Sequence, residues 1–492
     1  MTSTIPDSAL QSVIDDLRNR PGSGELIPVI DPATEEQITE FRDCGVEAVN
    51  EAVASAKAAY LSGVWTDIPA RQRAKVLWKL GDLIDEHAEE FAQLESLDAG
   101  MPPFQAGMIV STCAEFFRYY AGWCTKINGN SYQVQMEGGV NSNFSNLHAY
   151  TTKEPYGVVG LIYPWNGPLF NACAKIAPAL AAGCSIVVKP AEETPLSAVL
   201  LERLIREAGV PDGVANFVIG YGATAGAAIT AHPDVEKVAF TGSTEVGKQI
   251  MRDSADNLKK VTLELGGKSP VLIYEDADLD MAIMMASMGI FVHSGQGCVC
   301  GSRIFVQRSV YERVVAGISM IGDNLVLGGP KDEGAMISPL VSQKQLDRVL
   351  GYIEQGKKEG AEIVSGGYRL DRKGYFVKPT VVTDVDPATS RLYREEIFGP
   401  VVTILPFDSD DEAVAMANDT SYGLAATVWT TNLARAHSLG KRLQAGMVGL
   451  NCQLTFDHNV PFGGYKQSGL GKEFGYEGIE AYLKTKSIWA QL

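Results

Sequence analysis

Three residues of this sequence combine a reactive side chain with a setting that exposes it. Cys298 stands among glycines in Gly295-Gln296-Gly297-Cys298-Val299-Cys300-Gly301. A thiol on so open a turn admits a substrate, and as thiolate it is a strong nucleophile. Glu264 ends an apolar run, Leu263-Glu264-Leu265-Gly266-Gly267, thirty-four residues before that cysteine. A carboxylate there is costly without a partner or a task, and burial raises its pKa toward the range of a general base; a satisfied structural glutamate is the plainer alternative. Asn166, in Pro164-Trp165-Asn166-Gly167-Pro168, is held by rigid flanks and can aim its amide at a developing oxyanion. Taken singly, these read as a buried thiol, a structural acid and a loop. Cys298 and Cys300 have no further ligands at metal spacing, so no metal is expected.

Two glycine-rich turns add phosphate-binding candidates. Gly220-Tyr221-Gly222 through Gly226 is one residue too long for the dinucleotide fingerprint. Gly242-Ser243 through Gly247-Lys248 has P-loop spacing, but Gln249 stands where a Mg²⁺-binding hydroxyl belongs. A helix opening at Ser243 still offers free N–H groups and a dipole to a phosphate. A tight turn explains either loop equally well.

The elements that must position these residues follow a regular beat. Strands are predicted at Val158–Tyr163, Ser185–Lys189, Asn216–Ile219 and Lys237–Phe240, alternating with helices at Leu169–Leu180, Leu196–Ala208 and Ala223–Ala231. That alternation implies an α/β fold with a doubly wound parallel sheet. It resumes after Gly266 with Val271–Tyr274, Met281–His293, Ser302–Val306 and Tyr311–Leu325, which predicts a second α/β domain. Helical periodicity covers Val46–Tyr60, Val76–Leu97 and Phe104–Trp123. The first forty residues read as a polar lead-in with a turn at Asp31-Pro32. A hairpin over 132–153, turning at Gly138-Gly139, and a strand-like end at 481–492 form a candidate pair.

The 492 residues are about three times a typical domain of ~150 residues. With 42 Lys+Arg against 59 Asp+Glu the net charge is −17, a field that repels nucleic acid. No secretory signal is read at the start, and the most apolar stretch, Ile176–Val188, is too short for a membrane span and holds Pro178 and Gly183. Eight sparse cysteines fit free thiols in a reducing cytoplasm.

In combination the motifs are far more specific. Pro164-Trp165-Asn166, Lys189-Pro190-Ala191-Glu192, Phe240-Thr241-Gly242-Ser243, Glu264-Leu265-Gly266-Gly267, Gly295-Gln296-Gly297-Cys298, Glu395-Glu396-Ile397-Phe398-Gly399-Pro400 and Pro461 through Gly469 occur in one order. Over nearly the whole chain this resembles the NAD(P)-dependent aldehyde dehydrogenase superfamily, of the hydrolytic rather than CoA-acylating type. The resemblance implies Cys298 as nucleophile, Glu264 as general base, and Asn166 as oxyanion donor with the Cys298 N–H. Lys175 and Glu473 would support the base. For the cofactor it implies Lys189 and Glu192 at the adenosine ribose, which favours NAD over NADP. Ser243 and its helix would take the pyrophosphate, with Gly222, Gly226, Gly242 and Leu265 alongside. Glu396 would hold the nicotinamide ribose, and Phe398, Ile162, Pro164 and Trp165 would line the cleft. Around the thiol it places Gly167, Phe170, Asn171, Ala174, Val292 and Gly297, with Phe456 and Phe462 opposite.

Several family members carry bulky aromatics where Gly167, Ala174 and Val292 stand, which implies a roomy apolar tunnel for a long or aromatic aldehyde; a polar or semialdehyde substrate is the alternative. His293 departs from the asparagine common there. By the same resemblance, residues 1–131 and 154–265 form the dinucleotide-binding domain, 266–460 the catalytic domain, and 132–153 with 480–492 an arm that makes a homodimer or homotetramer. Two rivals remain: a P-loop nucleotide hydrolase built on Gly242–Lys248, and a non-catalytic scaffold of the same fold.

Overall fold

The computed structural model describes residues 7–134, 147–453 and 456–491. Its first sheet has the order Gly469–Leu470, Lys260–Glu264, Val235–Thr241, Val158–Ile162, Ser185–Lys189, Ala215–Phe217. All pairs are parallel except the outermost, where Gly469 and Leu470 run antiparallel to Glu264 and Leu263. Val158–Ile162 and Ser185–Lys189 are buried along their whole length, as strands covered on both faces must be. Val159, Leu161, Ile186 and Val188 join the core formed with helices Pro168–Ala182 and Leu196–Ala208. Val158, Ile162 and Val187 face the opposite core, with Val49 and Val53 of helix Gly45–Leu61 and Ile250 of helix Thr244–Ser254. The doubly wound arrangement expected from the alternation is present.

A seven-stranded sheet follows, ordered Glu362–Ser365, Thr380–Thr383, Val401–Phe407, Arg303–Gln307, Pro270–Ile273, Ala425–Trp429, Met447–Leu450. It is parallel except at its first pair. A third sheet joins Leu483–Gln491 antiparallel to Leu147–Pro155, which in turn pairs with Ser131–Tyr132. The turn expected at Gly138-Gly139 lies outside the described residues. Among the described residues no helix is long and apolar enough to cross a membrane.

Three sequence readings need correction. The polar lead-in is structured: helix Asp7–Arg18 buries Val13, Ile14 and Leu17, and strands Leu26–Asp31 and Glu36–Arg42 form a hairpin. The helical stretch Val76–Leu97 is two helices, Ala70–Glu86 and Ala88–Ala99, broken at His87 (φ −102°, ψ 19°). Ala223–Ala231 opens as a wide π turn over Gly222–Gly226 before helix Ala227–Ala231 begins.

Two fully buried acids join the first core to the site. Helix Pro168–Ala182 begins after Gly167, which has no side chain to cap it. Glu95 Oε1 supplies the missing acceptor for the Leu169 N–H at 2.9 Å, and Asp98 Oδ2 does the same for Leu196 at 2.9 Å. Burial pushes the Glu95 carboxyl from its ordinary 4.5 up to about 7. The folded state therefore binds that proton more tightly than the unfolded chain. The resulting stability is full below about pH 4.5 and is lost as pH rises through about 7. Glu95→Gln keeps the acceptor without the charge. Its Tm advantage over the parent is expected to grow between pH 4.5 and 7 and then level off; a difference independent of pH would refute a proton held in the fold.

Candidate active site

The order of the first sheet reverses at Val158–Ile162, whose neighbours Ser185–Lys189 and Val235–Thr241 connect onward across opposite faces. Beyond the carboxyl ends of these strands lies the crevice in which open α/β sheets bind ligands. Ile162 sits at that end, in register with Lys189 and Phe240. Lys189 Nζ donates to Glu192 Oε2 at 2.9 Å and to the Pro190 carbonyl at 2.8 Å. Glu192 Oε1 accepts the Gly222 N–H at 3.3 Å, and Gly226 packs within reach of the Lys189 stem. Across the crevice Ser243 caps helix Thr244–Ser254, accepting the Val246 N–H on Oγ. Gly242 donates to the Glu264 carbonyl at 3.0 Å, and Gly247 packs against Leu265. Lys248, the residue a P-loop would aim at phosphates, instead bonds Gln467 at 2.8 Å.

At the strand end beside Ser243 the chain crosses to the second sheet through Gly266 and Gly267. Glu396 Oε1 accepts the Gly267 N–H at 2.8 Å. A Cβ on Gly266 would meet Glu396 Oε2 at 2.2 Å, and one on Gly267 would meet the Cys298 carbonyl oxygen at 2.4 Å. Only glycines allow Glu396 and Cys298 to approach so closely. Burial pushes the Glu396 carboxyl up to about 7. Phe398, at φ +61°, sets its ring edge-on to Trp165, with centroids 5.3 Å apart. Pro164 and Trp165 are half-buried in the same loop.

Cys298 is half-buried and lies at the second position of a turn closed by the Cys300 N–H and the Gly297 carbonyl, 3.2 Å apart. Cys300 packs against the core on one face of the seven-stranded sheet. Asn166 Nδ2 reaches this loop, donating to the Gln296 carbonyl at 2.8 Å. Glu264 is 3% exposed, and neither of its oxygens has a well-aligned hydrogen-bond partner. Burial, then the nearby Glu473 carboxylate, raises its pKa well above the ordinary value, while Lys175 and Lys472 oppose the rise. Lys175, fully buried on helix Pro168–Ala182, is ion-paired with Glu473.

The apolar candidates divide. Phe170, Phe456 and Phe462 are brought together, with centroids 5.7 Å apart for Phe170–Phe456 and 5.4 Å for Phe456–Phe462. Phe456 is half exposed, whereas Phe462 is buried. Gly167, Phe170, Asn171 and Ala174 share one face of the helix start, but the Asn171 amide turns back to the Gly167 carbonyl at 2.8 Å, and Ala174 is packed in the first core. Val292 and Gly297 bracket the turn before the thiol and are half-buried.

Sequence reading missed four contributors. Phe116 and Phe474 complete the aromatic group, at 5.3 Å from Phe170 and 5.2 Å from Phe462; no local pattern marks them, because tertiary packing alone assembles the rings. Gln296 is fully buried, and its side chain accepts the Val341 N–H and donates to the Pro339 and His293 carbonyls. Ser468 Oγ donates to the Gly266 carbonyl at 2.6 Å and accepts the Gly423 N–H. Both lie inside quoted motifs, so their positions were visible although their roles were not.

A profile of the aldehyde dehydrogenase family matches residues 19–488. A putative aldehyde dehydrogenase of Bacillus subtilis, DhaS, is 45% identical over 96% of this chain and 93% of its own length. A mitochondrial benzaldehyde dehydrogenase of Antirrhinum majus is 44% identical over 95% of this chain and 86% of its own. Among solved structures, an aldehyde dehydrogenase from Bacillus cereus in complex with NAD⁺ superposes with a TM-score of 0.94 at 46% identity, covering 100% of this chain and 99% of the other.

Burial, Glu396, Cys300 and Glu264 all push the Cys298 thiol above its ordinary value of 9.0. Alkylation by iodoacetamide, read at this residue by peptide mass mapping, is therefore expected to climb through pH 9 without a plateau. A plateau near neutral pH would show a thiolate stabilised by the site itself.

Proposed function

Because the chain belongs to the aldehyde dehydrogenase family, we propose that this NAD(P)-dependent enzyme oxidises a bulky apolar or aromatic aldehyde to the acid, with NAD preferred and Cys298 as nucleophile. The observation that carries the reading is the convergence of Cys298, Glu396 and Glu264 on the Gly266-Gly267 crossing, with the Asn166 amide bonded to the cysteine loop. It weighs equally against a non-catalytic scaffold. The P-loop hydrolase is set aside by the family membership and by Lys248, which is turned to Gln467.

The residues present fit a dinucleotide. The helix opening at Ser243 is eleven residues long, enough for its first N–H groups to receive a pyrophosphate. Gly222 has open space where a Cβ would stand. Lys189 and Glu192 are presented together for a ribose diol, and a carboxylate there repels a 2′-phosphate. Glu396 would hold the second ribose, with Phe398, Trp165, Pro164 and Ile162 as walls and Leu265, Gly226 and Gly242 beneath.

An aldehyde passing the Phe170, Phe456 and Phe462 rings reaches Cys298, whose thiol gives up its proton to water as the sulfur adds to the carbonyl carbon; Phe116 and Phe474 back these rings from the core. Asn166 Nδ2 keeps a second N–H beyond the one given to Gln296, and this hydrogen and the Cys298 N–H receive the oxyanion. When bound, the dinucleotide supplies the hydride acceptor that turns the adduct into a thioester. Glu264 then takes a proton from the water that attacks this thioester. Its raised affinity for protons suits that task, with the Lys175–Glu473 pair behind it. Gly167, Val292, Asn171 and Gly297 add little bulk beside the rings, while Ala174 packs in the core behind them. The benzaldehyde dehydrogenase relative favours an aromatic substrate on this surface.

Residues 1–131 with 154–265 serve as the dinucleotide domain and 266–460 as the catalytic domain. The 132–153 and 480–492 segments act as an oligomerisation arm, because Leu483–Gln491 is an edge strand with Trp489 exposed and such an edge calls for a partner. A homodimer or homotetramer follows. All eight cysteines are free, which suits the cytoplasm.

The test is formation of reduced nicotinamide, followed by its absorbance, with NAD⁺ and a panel of acetaldehyde, decanal, benzaldehyde and succinic semialdehyde. Benzaldehyde or decanal should lead the panel, and Cys298→Ala should be inactive. Glu264→Gln should give one turnover and a trapped acyl-enzyme visible by intact mass; full steady turnover in that variant would refute the base. Glu192→Ser should raise the NADP⁺/NAD⁺ ratio of kcat/KM. An unchanged ratio would place the 2′-position elsewhere.

A further inference from the structure

His293 stands five residues before Cys298 and belongs to none of the functions assigned so far. It opens three successive left-handed residues, with φ of +53° at His293, +52° at Ser294 and +67° at Gly295. For a non-glycine side chain this conformation is unfavourable and persists only where the surroundings enforce it. The His293 ring explains what is enforced. Nδ1 lies 3.3 Å from Ser338 Oγ. Nε2 is buried without a well-aligned partner. The His293 carbonyl accepts from both the Gln296 N–H and Gln296 Nε2, each at 3.1 Å. The Gln296 carbonyl, in turn, accepts from Asn166 Nδ2 at 2.8 Å.

These contacts form a relay: the Asn166 amide on the Gln296 carbonyl, Gln296 on the His293 carbonyl, and the His293 ring beside Ser338 Oγ. We propose that His293 is a positioning residue for the oxyanion donor, its ring anchoring at Ser338 the left-handed turn from which Gln296 fixes the Asn166 amide. The inference rests on the reading of Asn166 as that donor. An amide held in this way loses little freedom when a tetrahedral adduct forms, so the donor is already aimed when charge develops. Burial holds the ring neutral, pushing its pKa down to about 4, so the relay is intact across the neutral range.

The experiment is a double-mutant cycle on Asn166→Ala and His293→Ala. One readout is the burst of reduced nicotinamide with benzaldehyde and NAD⁺. The other is nitrophenolate release from p-nitrophenyl acetate without dinucleotide, an activated ester that acylates Cys298 through a similar tetrahedral oxyanion. Asn166→Ala should slow both by on the order of 10²–10³. His293→Ala should slow both on the order of tenfold, within the range of coupling between residues of one hydrogen-bond network, with KM for NAD⁺ unchanged. The double variant should be no slower than Asn166→Ala alone. His293→Gly relieves the left-handed strain and should be as slow as His293→Ala. Multiplying losses in the double variant, recovery in His293→Gly, or full-rate His293→Ala would each overturn the positioning role while leaving the oxyanion reading intact. Full-rate Asn166→Ala would overturn that reading and this inference with it.

Discussion

The whole site depends on a steric constraint: two chain segments and a carboxylate must pass within contact of one another where the first sheet hands over to the second. Gly266 and Gly267 make that crossing possible. Adding one carbon at either would overlap Glu396 or the Cys298 backbone, and neither neighbour is free to retreat. Glu396 is tied to the Gly267 N–H, and Cys298 sits in a closed turn. Ser468 fastens the same crossing from below, through the Gly266 carbonyl. Two sheets, a thiol and an acid are thus placed relative to each other by absent side chains and a few short hydrogen bonds.

Around this crossing the electrostatics are governed by desolvation. Burial is the first cause of the raised pKa at Glu95, Glu264, Glu396 and Cys298, and of the lowered pKa at Lys237 and Lys268, each of which falls to about 7. The groups do not neutralise one another pairwise. Lys175 and Glu473 are paired, whereas Glu264 and the Lys268 ammonium lack aligned partners. Unpaired buried polar groups are costly, and Glu264 and Lys268 stand on either side of the Gly266-Gly267 crossing.

Legibility from sequence followed the physics of each element. Ser185–Lys189 and Leu196–Ala208 were bounded correctly because both are continuous runs whose period is set locally. The lead-in was misread because helix Asp7–Arg18 has only a narrow apolar stripe, Val13, Ile14 and Leu17, amid polar residues. The break at His87 carries no glycine or proline to announce it. In the site, Cys298, Glu264 and Asn166 stood out because each sits among glycines or prolines in an ordered motif. Phe116 did not, since its role comes from meeting Phe170 and Phe474 across helices distant in sequence.

The turn before Cys298 shows how such a site is sustained. Left-handed backbone at non-glycine residues costs on the order of 1–3 kcal/mol each, and His293 and Ser294 both adopt it. Gly295 continues the turn where a Cβ would strike the Gly399 carbonyl oxygen at 2.1 Å. Compensation comes from side chains that could not bond if the turn relaxed: Ser294 Oγ on the Ser338 carbonyl, and Gln296 on three backbone groups of 293, 339 and 341. The 338–341 segment therefore acts as a splint for the cysteine turn, although it contributes no reactive group. A local conformation unfavourable in isolation is held by a second loop, so the geometry of the thiol is set by residues forty positions further along the chain.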